Sequence, residues 1–270
     1  MPQQRILITG GNGTVGKALQ DVAQRAGHQV TAWDRHLVRY GDDDAMSRYL
    51  QQVSPAVVVN LAIASQYDPL SLLSARALNE DFPALLGTMC ARQGIRFLQT
   101  SSVMVFENSG DGPFTTDSVA AASDGYGKEK RLAEEQLREQ CPEALIVRLG
   151  WQMGKDLQGN TMSHFLSETM KSKQEIVASN RWFPACSFVQ DTAAVLLDLA
   201  TKAQTEGASR VYHVDGNRGW SFFEIAQALK TYLNQSWTIR HDDTFVFDQR
   251  LLGALTDRCD IGRILQLPNL

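Results

Sequence analysis

Arg5-Ile6-Leu7-Ile8-Thr9-Gly10-Gly11-Asn12-Gly13-Thr14-Val15-Gly16 is the stretch that decides the fold. Its first five residues read as a buried strand, its glycines as a tight turn, and residues 15–25 as a helix closed by Gly27, a favourable C-cap residue. Gly10 permits the sharp exit from the strand, Gly13 lets the backbone approach a pyrophosphate, and Gly16 lets the helix lie close to the sheet. The helix N-terminus then faces the phosphate charge. A second strand over 29–33 ends at Asp34, residues 44–53 look helical, and 56–60 form a third strand. Short apolar, β-branched runs alternating with helices predict an α/β fold, a doubly wound parallel sheet covered on both faces.

The alternation continues with a long helix over 70–93, a strand over 96–100, a helix carrying Tyr126 and Lys130, and a strand over 144–149. Residues 1–150 are thus expected to form one dinucleotide-binding unit. Beyond Trp151 the texture becomes mixed: helix 163–173, loop 179–190, helix 191–201, strand 209–214 and helix 221–233. Residues 151–270 are read as a mainly substrate-binding lobe that partly returns to the main sheet. No repeat, low-complexity tract or Pro/Ser-rich linker separates the two parts.

Composition narrows the function classes. With 270 residues, 43% hydrophobic and 21% charged, the chain is that of an ordinary globular protein, and its net charge of −4 offers no basic face for nucleic acid. No apolar run approaches bilayer length, and the N-terminus runs straight into the first strand, so neither a membrane span nor a signal peptide is expected and the location is read as cytoplasmic. Cys90, Cys141, Cys186 and Cys259 are scattered, with no Cys-x-x-Cys pair and no His at zinc-ligand spacing. They are expected to be reduced and mostly buried, and no metal site is assigned.

Chemistry concentrates in a few places. Tyr126 and Lys130 stand four apart in Tyr126-Gly127-Lys128-Glu129-Lys130, so on a helix they share one face. The ammonium is expected beside the phenol, favouring its ionised form and making Tyr126 a proton donor or acceptor near neutral pH. Ser102, in Thr100-Ser101-Ser102-Val103-Met104-Val105-Phe106, follows a predicted strand on the sheet edge where ligands of open α/β folds bind. Asn79, within the long predicted helix, matters if it faces that site. Asp34 ends the second strand where a carboxylate accepts hydrogen bonds from a ribose, while the neighbouring Arg35 would attract the extra phosphate of NADP. The placement of Asp34 favours NAD(H), with NADP(H) left open. Thr9, Gly10, Gly13, Thr14, Val15 and Gly16 of the turn, Leu61 and Ala62 after the third strand, and Lys130 complete the candidate cofactor set.

These residues match a known pattern: the chain resembles the extended short-chain dehydrogenase/reductases, and among them the dTDP-4-dehydrorhamnose reductase branch. The Thr-Gly-x-x-Gly-x-x-Gly of the family falls on Thr9, Gly10, Gly13 and Gly16, its Tyr-x-x-x-Lys on Tyr126 and Lys130, its Ser/Thr on Ser102 and its helical asparagine on Asn79. Arg148-Leu149-Gly150-Trp151, Val211-Tyr212-His213-Val214 and Trp220-Ser221-Phe222-Phe223-Glu224 are similar to further segments of the branch. The resemblance implies a Rossmann-type domain and an NAD(P)H-dependent reductase of a carbonyl on a nucleotide-activated sugar. In it Tyr126 protonates the carbonyl oxygen, Lys130 holds the nicotinamide ribose and lowers the Tyr126 pKa, Ser102 polarises the carbonyl and Asn79 orders the proton relay. Two other readings stay open: a nucleotide-sugar epimerase or dehydratase with retained NAD, and a non-catalytic NAD(P)-binding regulatory subunit. A homodimer is also left open.

Departures mark where the substrate pocket differs. Val103 and Met104 stand where the branch has an acidic residue and an aromatic, Asn60 to Gln66 loses a Val-Asp continuation, and Cys186-Ser187-Phe188 replaces a Pro-Thr-Tyr segment. Other features read as structural: His213 as a packed strand residue, Asp42-Asp43-Asp44 as an N-cap with favourable first-turn charge, and Trp182, Phe183, Phe245 and Phe247 as core or interface before pocket wall.

Overall fold

The computed structural model describes residues 2–64, 71–107, 112–202, 210–253 and 255–268. Strand β1 (Arg5–Thr9) leads through the glycine turn into helix α1 (Thr14–Arg25), and β2 (Gln29–Ala32) follows. The helix ends in a Schellman arrangement: Gly27 takes φ +85°, its N–H donates to Gln24 O, and His28 N donates to Ala23 O. Next come α2 (Asp43–Val53) and β3 (Val57–Asn60). Asp42 caps α2 by accepting from Ala45 N, with Asp43 and Asp44 in the first turn, as the acidic triplet suggests.

The long helix expected over 70–93 is instead two helices, α3 (Ala75–Glu80) and α4 (Phe82–Arg92). Pro83 in the first turn of α4 cannot supply an amide hydrogen to the carbonyl of Asn79, so the helix is broken there. Residues 71–74 are non-helical, Ser74 capping α3 through Ala77 N, and Leu70 lies outside the described residues. Then follow β4 (Arg96–Ser102), α5 (Gly125–Gln140) and β5 (Leu145–Leu149).

The remainder of the chain runs β6 (Trp151–Met153), α6 (Met162–Lys173), β7 (Ile176–Ser179), β8 (Trp182–Phe183), β9 (Cys186–Phe188), α7 (Val189–Thr201), β10 (Val211–Val214), α8 (Phe222–Tyr232), β11 (Ile239–Asp242), β12 (Phe247–Asp248) and α9 (Ile261–Leu265). The stretch 179–190, expected as loop, thus holds two short strands and the first turn of α7. Strands of two and three residues carry too little pattern to be seen in sequence.

The main sheet is parallel throughout, in the order β10-β5-β4-β3-β1-β2. The chain steps outward from β1 to β2 and then crosses back to β3, so the switch point lies between β1 and β3, whose last residues Thr9 and Asn60 pair. In open α/β sheets that crevice, at the carboxyl ends of the strands, is where ligands sit. One face buries Ile6, Ile8, Val57, Val59, Leu98 and Val147 against α1 and α7. The other buries Leu7, Val58, Phe97 and Ile146 against α2, α4 and α5. A separate core under α6, α8 and α9 contains Met162, Trp220, Ile225 and Trp237.

Candidate active site

The glycine turn is closed by Gly13 N donating to Gly10 O at 3.0 Å. Gly10 takes φ +66°, and a Cβ there would stand 2.6 Å from Leu61 O; a Cβ on Gly16 would run into Gly10 O. Gly13 is different, since its outward side is open and only Gly10 O lies near. Thr9, fully buried, accepts from Leu61 N at 3.1 Å and Ala62 N at 3.3 Å and pairs with Asn60 Oδ1. The structure therefore brings Thr9, Gly10, Leu61 and Ala62 together at the switch point. Helix α1 begins with no capping side chain and no acidic residue in its first turn, leaving its leading amides free for an anion.

Asp34 lies just beyond β2, exposed, with Oδ1 accepting from His36 N at 2.9 Å. The Arg35 guanidinium stands 5.8 Å from the ring of Tyr40. Tyr40, which sequence reasoning passed over, is buried against Trp33 and Phe82, with Thr9 and Gly10 of the turn beside its hydroxyl. Burial pushes its phenol up to about 12 despite the nearby Arg35.

Tyr126 and Lys130 lie on the first turns of α5, as their spacing requires. Gly127 lets that helix press on the 3-10 turn Val103–Val105, because a Cβ there would strike Met104 O. The contact sets the start of α5 beside Ser102. Ser102 Oγ accepts from Met104 N at 3.2 Å, so its own proton stays available for donation. Lys130 is 2% exposed, its Nζ has no hydrogen-bond partner among the described residues, and it stands 5.9 Å from the centre of the Tyr126 ring. Burial lowers the ammonium to about 8, against the opposing pull of Glu134 and Glu129.

The expected ionisation of Tyr126 does not follow. Burial raises its phenol to about 12 and Glu129 adds to the rise. Burial outweighs the neighbouring Lys130 ammonium, so Tyr126 is held protonated. Glu129, three residues after Tyr126, was not singled out in the sequence, where an acid in a helix reads as a solvated face. It accepts from Asn79 Nδ2 at 2.8 Å. Asn79 also grips Ala64, donating to its carbonyl at 2.7 Å and accepting from its amide at 2.9 Å. Asn79 thus ties α3, α5 and the segment after β3 into one corner.

Beside Tyr126 opens a cleft of about 560 Å³ whose walls include Met104, Phe106, Trp182, Phe245 and Phe247. Of the aromatics read from sequence as core, Trp182, Phe245 and Phe247 are pocket wall here, whereas Phe183 lies under the Arg250 guanidinium at 5.6 Å. Trp182 and Phe245 meet edge to face at 5.4 Å, and Trp182 packs on Phe222 at 4.7 Å. Met104 is 50% exposed in this cleft while Val103 is buried. A larger hollow, about 800 Å³ by Gln4, Arg5, Ser54 and Gln93, lies at the opposite, N-terminal ends of the strands and holds none of the candidate groups. Among the described residues no cluster of three or more His, Cys, Asp or Glu could hold a metal, and no helix is long and apolar enough to cross a membrane.

His213 is buried, with Nδ1 3.0 Å from Leu252 O and Nε2 3.3 Å from Arg148 Nη1. Burial and Arg148 lower it to about 4, so it is the neutral, packed strand residue its setting suggests.

Known proteins are similar to this chain in sequence and in fold. The spore coat polysaccharide biosynthesis protein SpsK of Bacillus subtilis (strain 168) is 24% identical over 227 residues, 83% of this chain and 78% of its own. A dTDP-4-dehydrorhamnose reductase of Streptomyces griseus is 33% identical over 156 residues, 57% of this chain and about half, 51%, of that relative. In fold, the crystal structure of dTDP-4-dehydrorhamnose reductase from Bacillus anthracis str. Ames in complex with NADP superposes with a TM-score of 0.76 at 20% identity, covering 100% of this chain and 94% of that one. Residues 4–240 match the family described as RmlD substrate binding domain, and to that family the chain belongs.

Proposed function

We propose that the protein is an NAD(P)H-dependent reductase of a carbonyl on a nucleotide-activated sugar, of the dTDP-4-dehydrorhamnose reductase type. The observation that carries this reading is the meeting of three features at the carboxyl edge of one sheet: an anion-ready glycine turn, a buried Lys130 whose ammonium has no hydrogen-bond partner among the described residues, and Tyr126 facing an aromatic cleft. Relatives named as dTDP-4-dehydrorhamnose reductases support the substrate class.

The residues present fit a nicotinamide dinucleotide. Gly13 leaves room for a pyrophosphate over the first amides of α1, and the orphaned Lys130 ammonium suits a ribose hydroxyl pair. Such a cofactor would supply hydride to the carbonyl carbon. Tyr126, protonated through the neutral range, donates its proton to the carbonyl oxygen, and Ser102 donates a hydrogen bond to that oxygen. Asn79 and Glu129 hold the corner from which Tyr126 and Lys130 project. Asp34 at the strand end favours NAD(H) over NADP(H), with Arg35 as the opposing feature.

The test is titration with NADH and NADPH, then loss of reduced-nicotinamide absorbance over a panel of nucleotide-linked 4-keto sugars. Turnover abolished in Tyr126→Phe supports the reductase. Tight binding without net turnover moves the assignment to a cofactor-retaining epimerase, a dehydratase or a non-catalytic subunit.

A further inference from the structure

One contact joins distant parts of the chain at the glycine turn. Gly159, in the loop between β6 and α6, takes φ +73°, and a Cβ built there would lie 2.7 Å from Thr14 Oγ1 and 4.0 Å from Thr14 Cβ. Thr14 is the first residue of α1, the helix whose leading amides no side chain caps. A side chain at 159 would have to displace either the Thr14 hydroxyl or the loop itself.

The loop is also tethered from its own side. Gly154 N donates to Ser163 Oγ at 3.4 Å and Ser163 Oγ donates to Gly154 O at 2.8 Å. Leu157 O lies 2.9 Å from His164 Nδ1, its side chain packs against the core beneath α6, and Thr161 Oγ1 caps α6 by accepting from His164 N. Four hydrogen bonds and the Leu157 packing contact, made between residues 154 and 164, make this a preformed arm reaching the phosphate end of the sheet. Lys155 is turned away, its ammonium 5.8 Å from the Tyr232 ring. Asn160, next to Gly159, is exposed, so its side-chain amide is a donor on the surface of the arm.

We propose that residues 154–161 form a strap over the phosphate-binding turn, so that the C-terminal half of the chain, through Gly159 and Asn160, closes on the pyrophosphate of a nicotinamide dinucleotide and retains it. This rests on the dinucleotide reading of the glycine turn. The strap would slow exchange of the cofactor without touching the reacting carbon.

A crosslink tests it. The 4.0 Å separation falls within the roughly 3.5–4.5 Å between Cβ atoms of a disulfide, and the four native cysteines are buried. A Thr14→Cys/Gly159→Cys protein is loaded with whichever of NADH and NADPH the wild type binds, oxidised and passed through gel filtration. The oxidised protein is expected to keep bound dinucleotide that dithiothreitol releases, and protein oxidised while empty to take it up at least about tenfold more slowly than its reduced form. Gly159→Asn, which tolerates positive φ but places a side chain against Thr14, is expected to release the cofactor faster than wild type. Equal exchange rates in the oxidised and reduced forms, or failure of the disulfide to form, overturn the strap and leave the glycine turn's role standing. Failure of the wild type to bind either dinucleotide overturns that role and the strap with it.

Discussion

Lys130 is buried, its ammonium has no hydrogen-bond partner among the described residues, and its stability cost follows with a definite sign. Its pKa is lowered from 10.5 to about 8, so between those values the unfolded chain binds more protons and folding stability rises with pH. Below about 8 the full penalty applies, roughly 3 kcal/mol at 1.36 kcal/mol per unit. Lys130→Met is therefore expected to be more stable than wild type in denaturant melts at pH 7, with the advantage shrinking as pH climbs from about 8 to 10; an advantage independent of pH would contradict the buried charge. The same titration bears on activity. Reduction is expected to decline as pH rises through about 8, where Lys130 loses its charge, while Tyr126, raised to about 12, stays protonated. Tyr126→Phe should lower kcat by roughly 10²–10⁴ and leave dinucleotide affinity within about twofold, as fluorescence titration would read. Tyr126, Lys130 and the glycines were legible in the sequence because their spacing is dictated by local geometry. Glu129 and Tyr40 were not, since their roles arise only when α3 and the segment after β2 fold back onto the site.

At the scale of elements, α5 must be held firmly for Tyr126 and Lys130 to keep their aim. Glu134, one turn beyond Lys130, receives Arg148 of β5 through Nε at 2.9 Å and Nη2 at 2.7 Å, with the two side chains 2% and 1% exposed. Arg148 also faces Phe106 at 4.9 Å and His213 of β10, so one guanidinium links α5, β5, β10 and the cleft wall. Removing one partner strands a buried charge. Glu134→Ala is expected to cost about 3–5 kcal/mol in urea unfolding, whereas Glu134→Leu with Arg148→Met should recover most of it. A double variant as weak as the single would mean that packing around α5, and not the uncompensated charge, carries the loss. Elements announced by repeated apolar pattern, such as β1, α1 and β3, were readable from sequence. The break between α3 and α4 was masked by continuous helical pattern on both sides, although Pro83 signals it. The strands β8 and β9 exist only through pairing with β12 and β6, which no local pattern encodes.

For the whole molecule, the alternation of strands and helices announced the parallel sheet, but not how much of that sheet depends on distant chain. Residues 1–150 supply five of its strands, β1 to β5, while β10 lies on the outer edge of β5 and α7 covers the face that Ile6, Ile8, Val57 and Val59 present. Val189, Ala193, Leu196, Leu197 and Ala200 fill that cover, and α1 and Cys259 share it. The fully buried Asp215 ties the same region together, accepting from Cys186 N, Asn217 N and Leu251 N at 2.9, 2.8 and 2.8 Å. We propose that 1–150 is a dinucleotide-binding unit in function but not an independent folding unit. At about 1.5–3 kcal/mol for each large apolar side chain left uncovered, loss of α7 over Ile6, Ile8, Val57 and Val59 removes about 6–12 kcal/mol, comparable to the roughly 5–15 kcal/mol by which a domain is normally stable. A fragment of residues 1–150 is therefore expected to lack a cooperative melting transition and to bind a hydrophobic dye, while the full chain unfolds in one step. A fragment that melts cooperatively and still binds NADH or NADPH would show instead that the five strands and α1 suffice, and that α7 is a cover added to an already stable sheet.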